Sequence, residues 1–209
     1  MEIELKYSLD DEAKAEEIKA DRDINKFFIP DSYQVMDMSA VHFDTEDFLL
    51  RSERIAFRIR REGERNVATL KWGGGHEGSL HVRNELNINI GTGEITENPD
   101  ISVFRESEIG QKVMSMVEGK KLVPLMKINV QRESWKIKED ITILEFCIDR
   151  GQVITDFGTD EIRELEVEII TGMEEVLNKY GDLLVEKYRL EPEGRSKFAR
   201  GLALLGKDK

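Results

Sequence analysis

The feature that most constrains this chain is a period-two alternation of charge. Successive side chains on a strand point to opposite faces. Over residues 2–7, Glu2, Glu4 and Lys6 share one face, and Ile3, Leu5 and Tyr7 share the other. Arg58 and Arg60 oppose Ile55, Phe57 and Ile59, while Thr69 and Lys71 oppose Leu70. Arg83, Glu85, Asn87 and Asn89 form another polar row. Glu164, Glu166 and Glu168 oppose Leu165, Val167 and Ile169; Glu145, Cys147 and Asp149 oppose Leu144, Phe146 and Ile148. The ordinary meaning of such alternation is a sheet with one solvated face and one core face. Two details point elsewhere. The charges are sorted by sign, with carboxylates on some strands and Lys/Arg on others. Three glutamates spaced by two residues also stand roughly 7 Å apart and repel unless cations intervene. Turning the polar face inward gives a barrel with a charged lumen, and the apolar exterior then needs helical cover.

The coarse reading supports that architecture. Strand-like stretches fall at 2–9, 33–43, 55–62, 66–72, 80–90, 127–138, 142–150, 152–157 and 162–171. Helical spacing predicts helices over 11–27, 102–119, 173–188 and 195–205. Gly73, Gly74 and Gly75 read as a hairpin loop, and no Gly-Lys-Ser/Thr follows them, so they are not a phosphate-binding P-loop. No linker or repeat divides residues 1–209, so one domain is expected, of the α+β class and mainly β.

Charge then narrows the function. The 31 basic and 43 acidic residues give a net charge of −12. Such a chain is a poor ligand for nucleic acid or an anionic membrane, both of which need a basic face. A single cysteine, Cys147, rules out an intrachain disulfide, and His42, His76 and His81 make no zinc-type cluster with it. The N-terminal stretch is acidic rather than signal-like, and no apolar run reaches membrane-spanning length. The expectation is a cytoplasmic protein. Net charge alone also disfavours a polyanionic substrate, but the positions of the charges do not. Carboxylates select hard divalent cations such as Mg²⁺ or Mn²⁺. Arginine and lysine bind phosphate oxygens. Together they describe a metal–polyphosphate complex.

At this point the motifs resemble the CYTH superfamily of triphosphate tunnel metalloenzymes. Glu2-x-Glu4-x-Lys6 resembles its ExExK signature, and His42-Phe43-Asp44-Thr45, with Leu49 and Leu50, its YFDT-type strand. Arg58-x-Arg60, Thr69-Leu70-Lys71, Arg83-x-Glu85, Arg132, Asp149-Arg150-Gly151, Glu164-x-Glu166-x-Glu168 and Ser196-Lys197 follow in order. The resemblance implies an eight-stranded antiparallel β-barrel forming a tunnel. It implies that Lys6, Arg58, Arg60, Lys71, Arg132 and Lys197 bind triphosphate oxygens, with Arg83 adding to the cationic side. Glu2, Glu4, Glu85, Asp149, Glu166 and Glu168 would hold the metals, and Glu2, Glu4, Lys6 and Glu168 would carry the reaction. Two choices stay open: which of Glu164, Glu166 and Glu168 ligate, with the last two preferred, and whether Glu145 competes with Asp149, which is read as a strand end.

The implied activity is metal-dependent hydrolysis of triphosphates, inorganic tripolyphosphate first. Alternatives are a class IV adenylate cyclase, a thiamine triphosphatase, a non-catalytic polyphosphate- or nucleotide-binding module, and a structural barrel with paired charges. Both enzyme alternatives need an organic subsite that the sequence does not display. A homodimer stays open. The three histidines are expected at loops or strand edges, Cys147 as an inert thiol, and Trp72 and Trp135 as packing residues. The six assigned acids and six assigned bases cancel, so the excess acidity would lie elsewhere, in stretches such as 10–17.

Overall fold

The computed structural model describes residues 1–9, 11–93, 95 and 99–207; Asp10, from the acidic stretch above, lies outside them. Eight long strands run antiparallel: β1 (Glu2–Ser8), β2 (Gln34–Thr45), β3 (Ile55–Glu62), β4 (Arg65–Glu77), β5 (Leu80–Thr92), β6 (Leu122–Glu139), β7 (Thr142–Thr155) and β8 (Gly158–Thr171). They pair in the order β5-β4-β3-β2-β6-β7-β8-β1, and β1 also pairs with β5. That last pairing closes the sheet into a barrel. A two-residue strand, β9 (Glu191–Pro192), continues beside Tyr7 and Ser8, beyond the stretch of β1 paired to β5. Tight two-residue turns join β3 to β4, β4 to β5, β6 to β7 and β7 to β8. Gly63, Gly78 and Asp140 take positive φ there, as such turns demand.

Five helices accompany the barrel: α1 (Glu12–Ala20), α2 (Leu49–Ser52), α3 (Glu108–Met116), α4 (Glu174–Tyr188) and α5 (Lys197–Leu204). The stretch 11–27, expected as one helix, is cut in two. Asp21 accepts the N–H groups of Asp23 and Ile24 and starts a separate 3₁₀ turn, Ile24–Phe27. The stretch 102–119 divides likewise, because Ser107 caps α3 by accepting the Gly110 N–H. Helix α2 was not anticipated. Asp44 holds it, its carboxylate accepting from Leu50 N at 2.8 Å and Arg51 N at 2.9 Å.

Two glycine readings are corrected. Gly73, Gly74 and Gly75 are not a hairpin loop; they lie within β4, where the register shifts between Trp72 and Gly75. Gly73 and Gly74 take φ of +63° and +75°, and a Cβ on Gly74 would stand 1.9 Å from the Val82 carbonyl oxygen. The triplet makes a bulge, and the turn falls at Gly78 and Ser79. Gly151 does not end a strand either. The expected strands 142–150 and 152–157 are one, β7, in which Gly151 faces Val130. A Cβ there would sit 1.9 Å from the Asn129 carbonyl oxygen, so glycine permits close approach rather than a break.

The apolar faces point outward, as alternation predicts. Leu5, Tyr7, Phe146, Leu165 and Val167 are covered by Ile18 of α1 and by Leu177, Tyr180 and Leu184 of α4. Phe43, Phe57, Ile59 and Leu70 are covered by Phe104 and by Val113 of α3. Helix α5 departs from the expected external cover. Its Leu202 joins Met126, Ile128, Val153 and Ile162, all on the lumen-facing side of their strands, so α5 lies across one end of the barrel. Gly201 allows this, because a Cβ would meet the Met126 sulfur at 2.1 Å.

Candidate active site

The barrel brings the polar faces of all eight strands around one cavity of 260 Å³. Its lining includes every residue singled out as a metal or phosphate ligand: Glu2, Glu4, Lys6, Arg58, Arg60, Lys71, Arg83, Glu85, Arg132, Asp149, Glu166, Glu168 and Lys197. These positions span the sequence from β1 to α5, and only barrel closure makes them neighbours. The lumen is not charged all round, however. Met38 and Ala40 of β2 with Ile128 and Val130 of β6 form an apolar sector, which the sequence reading did not include. Counting round the barrel, β2 stands opposite β1, so the apolar sector faces the ExExK strand.

Strands β1 and β8 build the acidic wall. Their register sets Glu4 opposite Glu168, Lys6 opposite Glu166 and Ser8 opposite Glu164. Glutamates directly opposed across strands destabilise a sheet unless something neutralises them. Toward α5 three cations supply it, although Glu164 Oε2 keeps no hydrogen-bond partner among the described residues and burial raises its carboxyl. Lys6 Nζ lies 2.5 Å from Glu166 and 3.5 Å from Glu164. Lys197 Nζ lies 2.7 Å from Asp149 and 2.8 Å from Glu166, and also pairs with Glu164. Arg132 grips Asp149 with two bonds of 2.6 Å and reaches Glu166 as well. Burial alone would raise the Glu166 carboxyl, but Lys197, Lys6 and Arg132 outweigh it and hold the group well below its usual range. Asp149, Glu164 and Glu166 converge closely enough for a metal to be held among them.

The other acidic group is left under-compensated. Glu2 pairs with Lys71 at 2.7 Å, and Lys71 also takes Glu85 at 2.7 Å. Among the described residues Glu4 has only Lys6, at 3.6 Å. Glu168 makes no ion pair or hydrogen bond among the described residues. Burial, then repulsion from Glu2, Glu4 and Glu166, pushes its carboxyl up to about 8. Glu85 behaves oppositely: burial would raise it, but Lys71 and Arg58 bring it to about 2. A carboxylate trio facing a proton affinity this high fits a hard divalent cation, which supplies the missing positive charge.

The basic wall is β3 and β4 with Arg132. Arg60 is tied to Glu62 toward the open mouth. Among the described residues Arg58 reaches only Glu85, at 3.9 Å. Arg83 donates to His81 Nδ1 at 3.1 Å, and His81 Nε2 then donates to the Glu193 carbonyl oxygen at 2.9 Å. Beyond Arg60, Arg132 and Glu145 the cavity runs on to a mouth lined by Gln34, Arg65, Asn89 and Lys136.

Glu145 pairs with Lys136 at 3.5 Å at that mouth, whereas Asp149 is fully buried against Arg132 and Lys197. Glu164, ranked below its two neighbours, lies in the compensated cluster with 1% exposure. Cys147 is buried, and burial pushes its thiol well up, away from the thiolate form. Trp135 stacks on Phe146, and Trp72 packs with the α3-side core. His76 stacks on His81. His42 is the residue that the sequence reading misplaced. It lines the lumen at 5% exposure, stacked on Phe198 of α5 with centroids 5.0 Å apart. Its parity with Ala40 and Met38 was the available signal, outweighed by its lack of a charged neighbour in sequence.

Residues 1–202 match the CYTH domain model. Among curated proteins, an inorganic triphosphatase from Haemophilus influenzae is 24% identical over 97% of this chain, and the chain spans about half of it, 54%. Two solved structures share the fold. One is a Hippeastrum adenylyl cyclase candidate described as having a dominant triphosphatase activity, with TM-score 0.72, 23% identity and coverage of 97% and 96%. The other is a Bacillus halodurans adenylate cyclase candidate, with TM-score 0.56, 18% identity and coverage of 96% of each chain. A closed barrel, a sign-sorted lumen and a domain match across nearly all of its length agree, and the chain belongs to the CYTH domain family.

Proposed function

We propose that this chain is a metal-dependent hydrolase of triphosphates, with inorganic tripolyphosphate as the favoured substrate. One observation carries the reading: the under-compensated carboxylates Glu2, Glu4 and Glu168 share a cavity with Arg58, Arg60, Lys71 and Arg132. The name of the Haemophilus relative supports it. Among the described residues the cavity lining, like that of the mouth, offers no tryptophan or tyrosine to stack on a base or thiazolium ring, and its Phe198 is taken by the His42 stack, which favours a bare phosphate chain.

The chain's residues divide the work. Arg58, Lys71, Arg132 and Lys197, with Arg60 and Arg83 at the flanks, hold the phosphate oxygens and fix the chain in line. Lys6 sets the positions of Glu4 and Glu166 and adds charge. Glu2, Glu4 and Glu168 would hold Mg²⁺ or Mn²⁺, with Glu85, Asp149 and Glu166 around them. When bound, the ion neutralises phosphate oxygens as a Lewis acid. A lumen carboxylate, Glu168 foremost, orients water and accepts its proton. The water oxygen bonds to the terminal phosphorus, the bridging P–O bond breaks, and pyrophosphate leaves beside orthophosphate. No covalent intermediate is needed.

The test is incubation with tripolyphosphate, ATP or thiamine triphosphate, each with Mg²⁺ or Mn²⁺, followed by assay of orthophosphate and cyclic AMP. Orthophosphate from tripolyphosphate is expected. Cyclic AMP without orthophosphate would make the protein a cyclase. Metal-dependent thermal stabilisation without any product would make it a binding module.

A further inference from the structure

His42 lies outside every role assigned above, yet it occupies the lumen. It pairs across strands with Arg58 on β3 and with Met126 on β6. Its Nδ1 is buried and has no hydrogen-bond partner among the described residues, and the same holds for the Nε of Arg58. Buried polar atoms in folded proteins are satisfied in more than about nine cases in ten. Two unsatisfied nitrogens on directly paired residues therefore mark a place built for an acceptor. The surroundings define its sign. Phe198 covers one ring face, and the charged groups nearest in influence are Arg58, Lys71 and Arg60.

We propose that His42 is a substrate-binding residue: its imidazole N–H and the Arg58 Nε–H together donate to one phosphate group at the α5 end of the lumen. This rests on the triphosphate reading above. Burial, followed by Arg58, Lys71 and Arg60, holds the imidazole well below its ordinary range and therefore neutral. Neutral imidazole carries one N–H and adds no further charge to a cationic wall. Arg58 is likewise brought down to about 10 by burial and by Arg60, which shows how poorly its charge is matched. An anionic oxygen relieves both. Because His42 stacks on Phe198, and the adjoining Lys197 reaches Asp149 and Glu166, this phosphate is the one seated deepest, away from the mouth. The neighbour Ala40 offers no polar atom there, and neither do Met126 and Ile128.

Two substitutions separate the hydrogen bond from the packing. His42→Phe keeps the ring stack and removes the N–H, whereas His42→Asn keeps a donor near Nδ1 and loses the stack. With tripolyphosphate and Mg²⁺, His42→Phe should raise KM about tenfold to a hundredfold, the range for one hydrogen bond to a charged group. Its kcat should change far less. His42→Asn should stay within about threefold of the parent KM. Calorimetric titration of tripolyphosphate into metal-free protein should weaken by the same factors. Unchanged KM and titration in His42→Phe, or equal losses in both variants, would overturn the proposal. If either variant unfolds, ¹⁵N-edited spectra of the parent's histidines decide: the His42 signal must move when tripolyphosphate is added, and a fixed signal overturns it. A parent that titrates tripolyphosphate without hydrolysing it would refute the enzymatic reading and leave the His42 result intact.

Discussion

The two acidic clusters in one lumen differ less in composition than in compensation. Asp149, Glu164 and Glu166 are matched by Lys6, Lys197 and Arg132, three acids against three bases, almost wholly out of water. Glu2, Glu4 and Glu168 share Lys71 and a distant Lys6, and Lys71 also serves Glu85. The first cluster is matched charge for charge as folded, and on the proposed reading its Lys197 and Arg132 meet phosphate from a fixed frame. The second is short of positive charge, and on the same reading cation binding completes it. Residue type alone does not separate frame from site; counting charges within contact distance does.

The largest expected effect comes from emptying the under-compensated cluster. Glu4→Ala combined with Glu168→Ala should lower tripolyphosphate turnover by roughly a thousandfold or more, the scale of losing a metal's charge stabilisation. The same variant should lose metal-dependent thermal stabilisation while folding normally. Retained turnover would place the site elsewhere. Next is the frame. Lys197→Ala removes one of three cations from a buried charge cluster and should cost about 3 kcal/mol in denaturant unfolding. Glu4→Ala should cost far less, and equal losses would erase the distinction between the clusters.

A third test uses acidity. The Glu168 carboxyl is raised from the usual 4.5 to about 8 in the folded protein. Between those values the folded state binds more proton than the unfolded one. Its contribution is thus fully present below 4.5 and is lost as pH rises through about 8. Metal-free protein should melt at progressively lower temperature across that window, and Glu168→Gln should remove that slope. A slope unchanged in the variant would assign the effect to another group. The smallest effects belong to the mouth. Arg60→Ala should raise KM about tenfold. Glu145→Gln, which removes only the partly exposed Lys136 pair, should change turnover less than twofold.

Much of this was legible in the sequence because alternation assigns faces without needing partners. The limits of β3 at Ile55 and Glu62 were read correctly, and the charged rows of β1, β3, β5 and β8 all point inward. What alternation cannot supply is the neighbour across the barrel. Lys6 meets Glu166 at a separation of 160 residues, so which carboxylates are neutralised depends on closure. Gly151 and Gly74 were misread for the same reason, since each is small to suit a backbone on the adjacent strand. The apolar sector escaped notice because Met38, Ala40, Ile128 and Val130 carry no charge to mark them as inward-facing. Asp44, quoted only as part of a strand motif, holds helix α2 by accepting from Leu50 N and Arg51 N.

Helix α5 closes one end of the barrel, and this has a consequence for traffic. On the proposed reading, reactant and products would use the mouth past Arg65, Lys136 and Gln34. A linear phosphate chain then passes through it end-on, with its free terminus leading. On the proposed reading Glu168 sits across from Glu145 of the mouth, so orthophosphate would form nearer the doorway and pyrophosphate would leave last. Turnover at saturation should therefore follow the departure of pyrophosphate, and added pyrophosphate should compete with substrate more strongly than added orthophosphate does.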